Sequence, residues 1–386
     1  MKIGLVIDRF DPRRGGAQQW TYQHAERLIA RGHEVHVVAG EASPAAVRLG
    51  VVVHELGFIQ SHLPRAQAAE NMLRSLQLDV VHDIGLGWHN DILQSEDGSR
   101  LAQWERLLLL LPSWQRPLKR TLIGLLPRYR EFRRLMARQF GDRQRIVLAV
   151  SKMCARDYQR HHGVRPEQIR LVYHGADNER FSPAHRAQYR LPVRRQLGIP
   201  EEAVVFLFVG HDYRRKGLAT AVRAVCRLAD EGRPAHLLVV GGNRRAQRSR
   251  WLFGPRHRAV TLAGAVDDPV PYYAASDAFV LPTFYDPSSL SVAEAASSGL
   301  PCVTTRFNGA AELLTEGLDG FVLFDPSDYA ALADRLRRLT DPATRQAMGL
   351  AARRLAERYT LDRNCEEILA VYHEVLRWRS GRREAA

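Results

Sequence analysis

Residues Tyr285–Thr305 read YDPSSLSVAEAASSGLPCVTT. Small and apolar residues between Ser288 and Ser298 predict a short helix, stopped by Gly299, Leu300 and Pro301. The β-branched run that follows predicts a buried strand. Two carboxylates, Asp286 and Glu294, bracket the helix start, eight residues and about 12 Å apart at helical rise. The amides of Ser289, Leu290 and Ser291 open the helix, and that end carries partial positive charge and unpaired donors suited to a phosphate. A carboxylate on either side can accept from vicinal hydroxyls, so the pattern fits a nucleotide sugar lying across a helix start. The competing reading is an amphipathic helix with Asp286 as cap and Glu294 in water.

Outward from this stretch, strands alternate with helices. AVVFLFVG, AHLLVVGG, AVTLAG, SDAFVLPT and GFVLFD are strand-like in the second half, with a helix over Leu218–Asp230. KIGLVID, EVHVVAG, VVVHEL, LDVVHD, RIVLAVSKM and IRLVYHGAD play the same part in the first half. Such alternation predicts an α/β fold of two Rossmann-like, doubly wound domains with parallel sheets facing a cleft. The expected divisions are an N-terminal domain over 1–177, a linker over 178–202 and a second domain over 203–363, which the resemblance described below makes the acceptor-side and nucleotide-sugar-binding domains. A last helix within 364–386 would cross back to the first domain.

Composition narrows the class. The 386 residues are 45% hydrophobic and 25% charged, as in a folded globular chain. The four cysteines are far apart and form no CxxC pair, which argues against a zinc site and for a reducing compartment. No apolar run is long enough to span a bilayer, since LLLLLP stops at Pro112. The expectation is a cytoplasmic protein. Its net charge of +14 calls for an anionic partner.

Three motifs carry chemistry. FVGHDYRRKGL, Phe208–Leu218, is a strand, a turn and a basic cluster opening a helix. RFDPRRGGAQQW places Gly15 and Gly16 after the first strand, where a backbone can approach a ligand closely. With no GxGxxG there or in IGLGWHN, a dehydrogenase is not indicated. YDPSSLSVAEAASSGLPCVTTRFNGAAELL is the third, and it resembles the acid-x7-acid region of retaining glycosyltransferases with two Rossmann-like domains. These are the GT-B fold, family 4 type, also called glycosyl transferases group 1.

The resemblance implies roles. Asp286 would meet the donor sugar and Glu294 the ribose hydroxyls. Lys216, assisted by Arg214 or Arg215, would neutralise the donor diphosphate as charge builds on the leaving group. Read as an exposed lysine, Lys216 would stabilise the fold by no more than about 1 kcal/mol. Gly15, Gly16, Gly242, Val266, Ser289, Leu290 and Ser291 would line the donor. The loop Gly241–Asn243 and the stretch Leu262–Asp268 match loops that line the nucleotide in relatives. The sequence departs from the family by having Asp rather than Glu at 286, Ser288 and Ser289 for a Phe-Gly pair, and His211 for an arginine. In the N-terminal domain His89, Asp97 and Ser99 are candidates for a sugar contact, with Asp97 taken as catalytic. No metal and no cofactor beyond the nucleoside-diphosphate sugar, UDP-glucose, are implied.

Residues 104–143 hold ten Lys/Arg against three Asp/Glu, half the net charge of the chain, interleaved with leucines and aromatic residues. Such segments lie in anionic membrane interfaces. The alternative is a surface helix pair covering the N-terminal core. No nucleic-acid module is recognised. The basic insertion and the GHDYRRKG form also resemble lipopolysaccharide core glucosyltransferases. That implies transfer of a hexose, with retention and without a metal, to a glycolipid or polysaccharide acceptor at the inner face of the cell membrane. A nucleotide-sugar 2-epimerase of the same architecture and an inactive sugar-nucleotide-binding protein are the alternatives.

Overall fold

The computed structural model describes residues 1–44, 48–242 and 258–385, apart from the side chains of Arg128 and 381–385. Two units divide the chain: Met1–Tyr173 with Leu361–Ala386, and His174–Thr360.

In the first unit seven parallel strands are ordered β3-β2-β1-β4-β5-β6-β7. They are β1 (Lys2–Phe10), β2 (Glu34–Ala42), β3 (Val52–Glu55), β4 (Val80–Asp83), β5 (Ile92–Leu93), β6 (Ile146–Ala149) and β7 (Ile169–Leu171). Ile3, Leu5, Val6 and Ile7 in β1 are all buried, because helices cover both faces of a parallel sheet and leave no solvated side. The helix Gly16–Ala30 begins at the glycine pair. Gly15 has an extended backbone (φ 171°), so its freedom is not what the turn uses.

The C-terminal helix Leu361–Ala385 belongs to this unit. Trp20 Nε1 donates to Asn364 Oδ1 at 2.9 Å, and the Tyr372 hydroxyl lies 3.0 Å from His24 Nε2 and 2.8 Å from His82 Nδ1. Burial lowers the His82 imidazole to about 3, so that ring is held neutral.

The second unit has six parallel strands ordered β10-β9-β8-β11-β12-β13. They are β8 (Val204–Val209), β9 (Ala235–Val240), β10 (Val260–Gly264), β11 (Ala278–Leu281), β12 (Cys302–Thr305) and β13 (Gly320–Leu323). Phe206, Phe208, Phe279 and Phe321 are among its buried core side chains.

The segment 178–202 is not a linker. It carries the helix Arg186–Leu197, whose Arg186, Arg190 and Arg194 all donate to Asp277 at 2.6–2.8 Å. Arg194 is fully buried and also donates to the carbonyls of Ala275, Glu201 and Ala203. The arginines that made this stretch look polar in sequence are what fasten it to the unit.

Candidate functional site

The opening stretch forms a helix over Leu290–Ser297, two residues later than the sequence pattern predicts. Ser289, not Asp286, is the N-cap residue, and Glu294 is buried rather than solvated. Asn308 explains the late start. Its Oδ1 accepts from the amides of Ser289 (3.3 Å) and Ala310 (3.1 Å), and its Nδ2 donates to Thr304 Oγ1 at 3.0 Å. With the Ser289 amide tied there, those of Leu290 and Ser291 are the helix's next donors without an intrahelical acceptor. The hydroxyls of Ser289 and Ser291 lie 2.9 Å apart at the same end.

Asp286 is fixed through its backbone, donating to the Phe307 carbonyl and accepting from the Gly309 amide, both at 2.9 Å. Its carboxylate pairs with Lys216 Nζ. The lysine is not exposed. Only 13% of its side chain and 8% of that of Asp286 reach solvent. Burial lowers the Lys216 ammonium from its ordinary value, and Asp286 acts against that shift. Removing either partner would strand a buried charge, so the expectation of an exposed lysine worth no more than about 1 kcal/mol to the fold does not hold.

Gly217 follows with φ 78°, and a Cβ there would run into the Pro282 carbonyl. The Lys-Gly sequence therefore meets two needs, a cation aimed at Asp286 and a left-handed turn into the helix Leu218–Asp230. Arg215 is occupied otherwise: Nη1 donates to the Tyr285 carbonyl at 2.9 Å and Nε lies 3.4 Å from Asp212. It holds the loop carrying Asp286. Arg214 is exposed.

Glu294 Oε2 accepts from the Tyr273 hydroxyl at 2.7 Å. Burial raises the Glu294 carboxyl, and the tyrosine hydrogen bond opposes the rise. Tyr273 itself is held well above its ordinary range by burial and then by Glu294. Gly242 has φ 87°, and the Tyr213 hydroxyl, which donates to the Gly241 carbonyl at 2.8 Å, fills the place a Cβ would take. Asn243 lies outside the described residues. Val266, in the loop after β10, packs on the core of the unit. His174 is half-buried, and desolvation lowers its imidazole to about 4, with Asp286 opposing that shift. Asp286, Lys216, Glu294, the helix start, Gly242 and Val266 thus all belong to the second unit.

Gly15, Gly16, His89, Asp97 and Ser99 belong to the first unit. Ser99 is structural: it caps the helix Arg100–Leu107 through the Ala102 amide at 3.3 Å and sits 2.9 Å from His162 Nε2. Asp97 pairs with Arg100. Beside it lies Glu96, which the sequence did not single out. Among the described residues no group of three His, Cys, Asp or Glu side chains is placed to hold a metal ion.

A doubly wound unit with two acids around a helix start suits a phosphate-bearing ligand with hydroxyl groups on either side. Residues 15–175 match the family model described as glycosyl transferase 4-like domain, and residues 203–341 match glycosyl transferases group 1. The chain belongs to this glycosyltransferase family and has the GT-B fold.

It is 25% identical over 376 residues to the lipopolysaccharide glucosyltransferase WaaG of Escherichia coli K12, covering 92% of this chain and 95% of that one. It is 30% identical over 253 residues to a D-inositol 3-phosphate glycosyltransferase of Corynebacterium diphtheriae, covering 63% of this chain and 59% of that one. The chain thus spans less than two thirds of that relative's length. The crystal structure of WaaG superposes with a TM-score of 0.79 at 22% identity, over 96% of this chain and 99% of that one.

Proposed function

We propose that the protein moves a hexose, with retention and without a metal, from UDP-glucose to a membrane-associated glycolipid such as a lipopolysaccharide core. The observation that carries this reading is the Lys216–Asp286 pair beside the helix start at Leu290. A diphosphate arriving at that helix supplies Lys216 with a new anionic partner. Asp286 is then free to accept from sugar hydroxyls, and Glu294 can take the ribose hydroxyls. As the bond from C1 of the sugar to the diphosphate oxygen breaks, charge collects on that oxygen, where Lys216 and the Leu290 and Ser291 amides stabilise it. The acceptor hydroxyl forms the new bond to C1 on the same face, and its proton passes to the departing diphosphate.

The glycolipid part of the reading rests on the basic insertion. Trp114, Leu118, Leu122 and Leu125 lie on one face of the helix Gln115–Leu125 and its preceding turn, and all four are exposed. Lys119, Arg120, Arg130, Arg133 and Arg134 are exposed on the same helix and the next, Pro127–Gly141. No helix among the described residues is long and apolar enough to cross a membrane. An apolar stripe with basic flanks suits the anionic inner face of the cell membrane, with the protein in the cytoplasm.

Release of UDP from UDP-glucose, measured with and without an extracted glycolipid acceptor, tests the reading. Acceptor-dependent release is expected. Conversion of the donor without acceptor would replace it with an epimerase, and absence of donor binding would replace it with a different ligand.

A further inference from the structure

Glu294 lies within the helix Leu290–Ser297 and carries a buried carboxyl, which needs a partner to hold its charge. Among the described residues two groups oppose the rise that burial causes, Tyr273 and then Arg180. Arg180 is shared: its Nη2 lies 3.0 Å from Asp268 Oδ1 at the surface. Tyr273 is committed. It stands in the short helix Val270–Ala274 and is 1% exposed, with its ring centroid 5.3 Å from that of Phe181 and 6.3 Å from that of Phe279. Those rings fix where the hydroxyl ends, 2.7 Å from Glu294 Oε2 and 3.4 Å from the Ser291 carbonyl. Cys302 also faces Tyr273, but its thiol donates to the carbonyls of Leu300 and Val292 and burial pushes it up, so it brings no charge.

The tyrosine hydroxyl has one proton to give. Burial and then Glu294 hold Tyr273 well above its ordinary range, so it remains a donor, and the shorter contact assigns the proton to Oε2. Oε1 accepts no hydrogen bond from the described residues, which leaves that oxygen to a ligand's hydroxyls.

Resting on the transferase reading above, we propose that Tyr273 is a positioning residue for the donor: by engaging Oε2 it keeps the Glu294 carboxyl as an anion and directs Oε1 to the ribose hydroxyls. Tyr273 itself touches no substrate and acts through the proton balance of Glu294. The anion accepts from both vicinal hydroxyls, whereas a protonated carboxyl has fewer acceptor sites. The affinity that Glu294 contributes is therefore present above the carboxyl's raised value and lost as pH falls through it. Without the tyrosine hydroxyl the carboxyl rises further, and the loss begins at higher pH. A tyrosine that only filled the core would carry no such link.

The test uses the full chain and calorimetric titration of UDP and its dideoxyribose analogue, which lacks both ribose hydroxyls, across the acid and neutral range. In wild type, UDP should bind more tightly than the analogue and lose more affinity on the acid side, since both carry the same titrating phosphates. Tyr273→Phe keeps the ring and its packing. It should weaken UDP about fivefold at neutral pH, the size of one ordinary hydrogen bond, and leave the analogue unchanged. The acid-side loss should begin about one pH unit higher, as for removal of one hydrogen bond to a charged group. In a Glu294→Gln background the same change should do nothing further. Equal weakening of UDP and the analogue by Tyr273→Phe, an unmoved acid-side profile, or an undiminished effect in the Glu294→Gln background would overturn the positioning role. Parallel profiles for the two nucleotides in wild type would overturn it without any variant. Unchanged UDP affinity in Glu294→Gln would instead overturn the ribose contact, and with it the reading on which this role rests.

Discussion

The second unit holds two buried ion pairs built to opposite ends. Asp277 accepts from Arg186, Arg190, Arg194 and the Val205 amide at 2.6–2.9 Å. Burial would raise its carboxyl, but Arg194 and then Arg190 hold it well below the carboxylate range. Every acceptor position is in use, so no ligand can enter. Among the described residues Asp286 has one side-chain ion partner, Lys216, whose ammonium can donate two more hydrogen bonds. A saturated pair is architecture, whereas a pair with spare valence has room for a third member.

The comparison can be broken by removing one member of each pair. Asp277→Asn should be the most damaging change to stability, costing about 3–5 kcal/mol, because it leaves Arg194 buried without its anion. Urea unfolding would report it, and a loss under 1 kcal/mol would remove the distinction drawn here.

Lys216→Met should reverse the ranking. Turnover should fall about 100-fold or more, as for loss of one fixed charge at a transition state, while the unfolding free energy drops less than for Asp277→Asn. Steady-state kinetics beside urea unfolding separates the two, and near-normal turnover would move the diphosphate contact to Arg214.

Glu294→Gln sharpens the picture at the other acid. It should weaken UDP and UDP-glucose alike by roughly tenfold, one charge-assisted hydrogen bond, since both share the ribose. Calorimetry giving unchanged UDP affinity would detach Glu294 from the ribose.

The smallest effect on the site should come from the first unit. Changing Arg130, Arg133 and Arg134 to Ser should leave UDP affinity and unfolding unchanged and lower binding to anionic vesicles, at about 1 kcal/mol per charge at most. Arg128 belongs to the same cluster, but its side chain lies outside the described residues. Equal binding of wild type to neutral and anionic vesicles would remove the membrane from the account.

Sequence pattern reached some of these features and not others, for physical reasons. The helix Leu218–Asp230 was legible to the residue, because a left-handed glycine precedes a strongly amphipathic run. Strands β8, β9 and β11 were legible as apolar runs, since burial on both faces leaves no polar alternation. Asn308 was not legible. Its effect on the helix start acts across 19 residues, and no local spacing records that. The helix Arg186–Leu197 was hidden for the same reason, its arginines looking solvated until Asp277 is brought beside them.

The adjacent acids Asp97 and Glu96 show the limit most sharply. Type and position could not tell them apart. Only the pairing of Asp97 with Arg100 does, leaving Glu96 as the unsatisfied one. The basic insertion was read as a single patch, yet it divides. Leu135, Met136 and Phe140 are buried on the core, whereas the helix Gln115–Leu125 buries no side chain.

The return of the chain at Leu361 has a consequence for biogenesis. The second unit is one uninterrupted segment whose two ends lie side by side, the Ala176 amide donating to the Tyr359 carbonyl at 3.3 Å. It therefore contains in one stretch all the chain it needs to close. The first unit cannot. Trp20, His24 and His82 wait for Asn364 and Tyr372, made some 290 to 350 residues later. Until then its sheet carries an uncovered patch of aromatic and imidazole side chains. The N-terminal half of the molecule is thus completed last, and a chain cut before residue 361 would hold the whole of the second unit but a first unit without the helix that covers it.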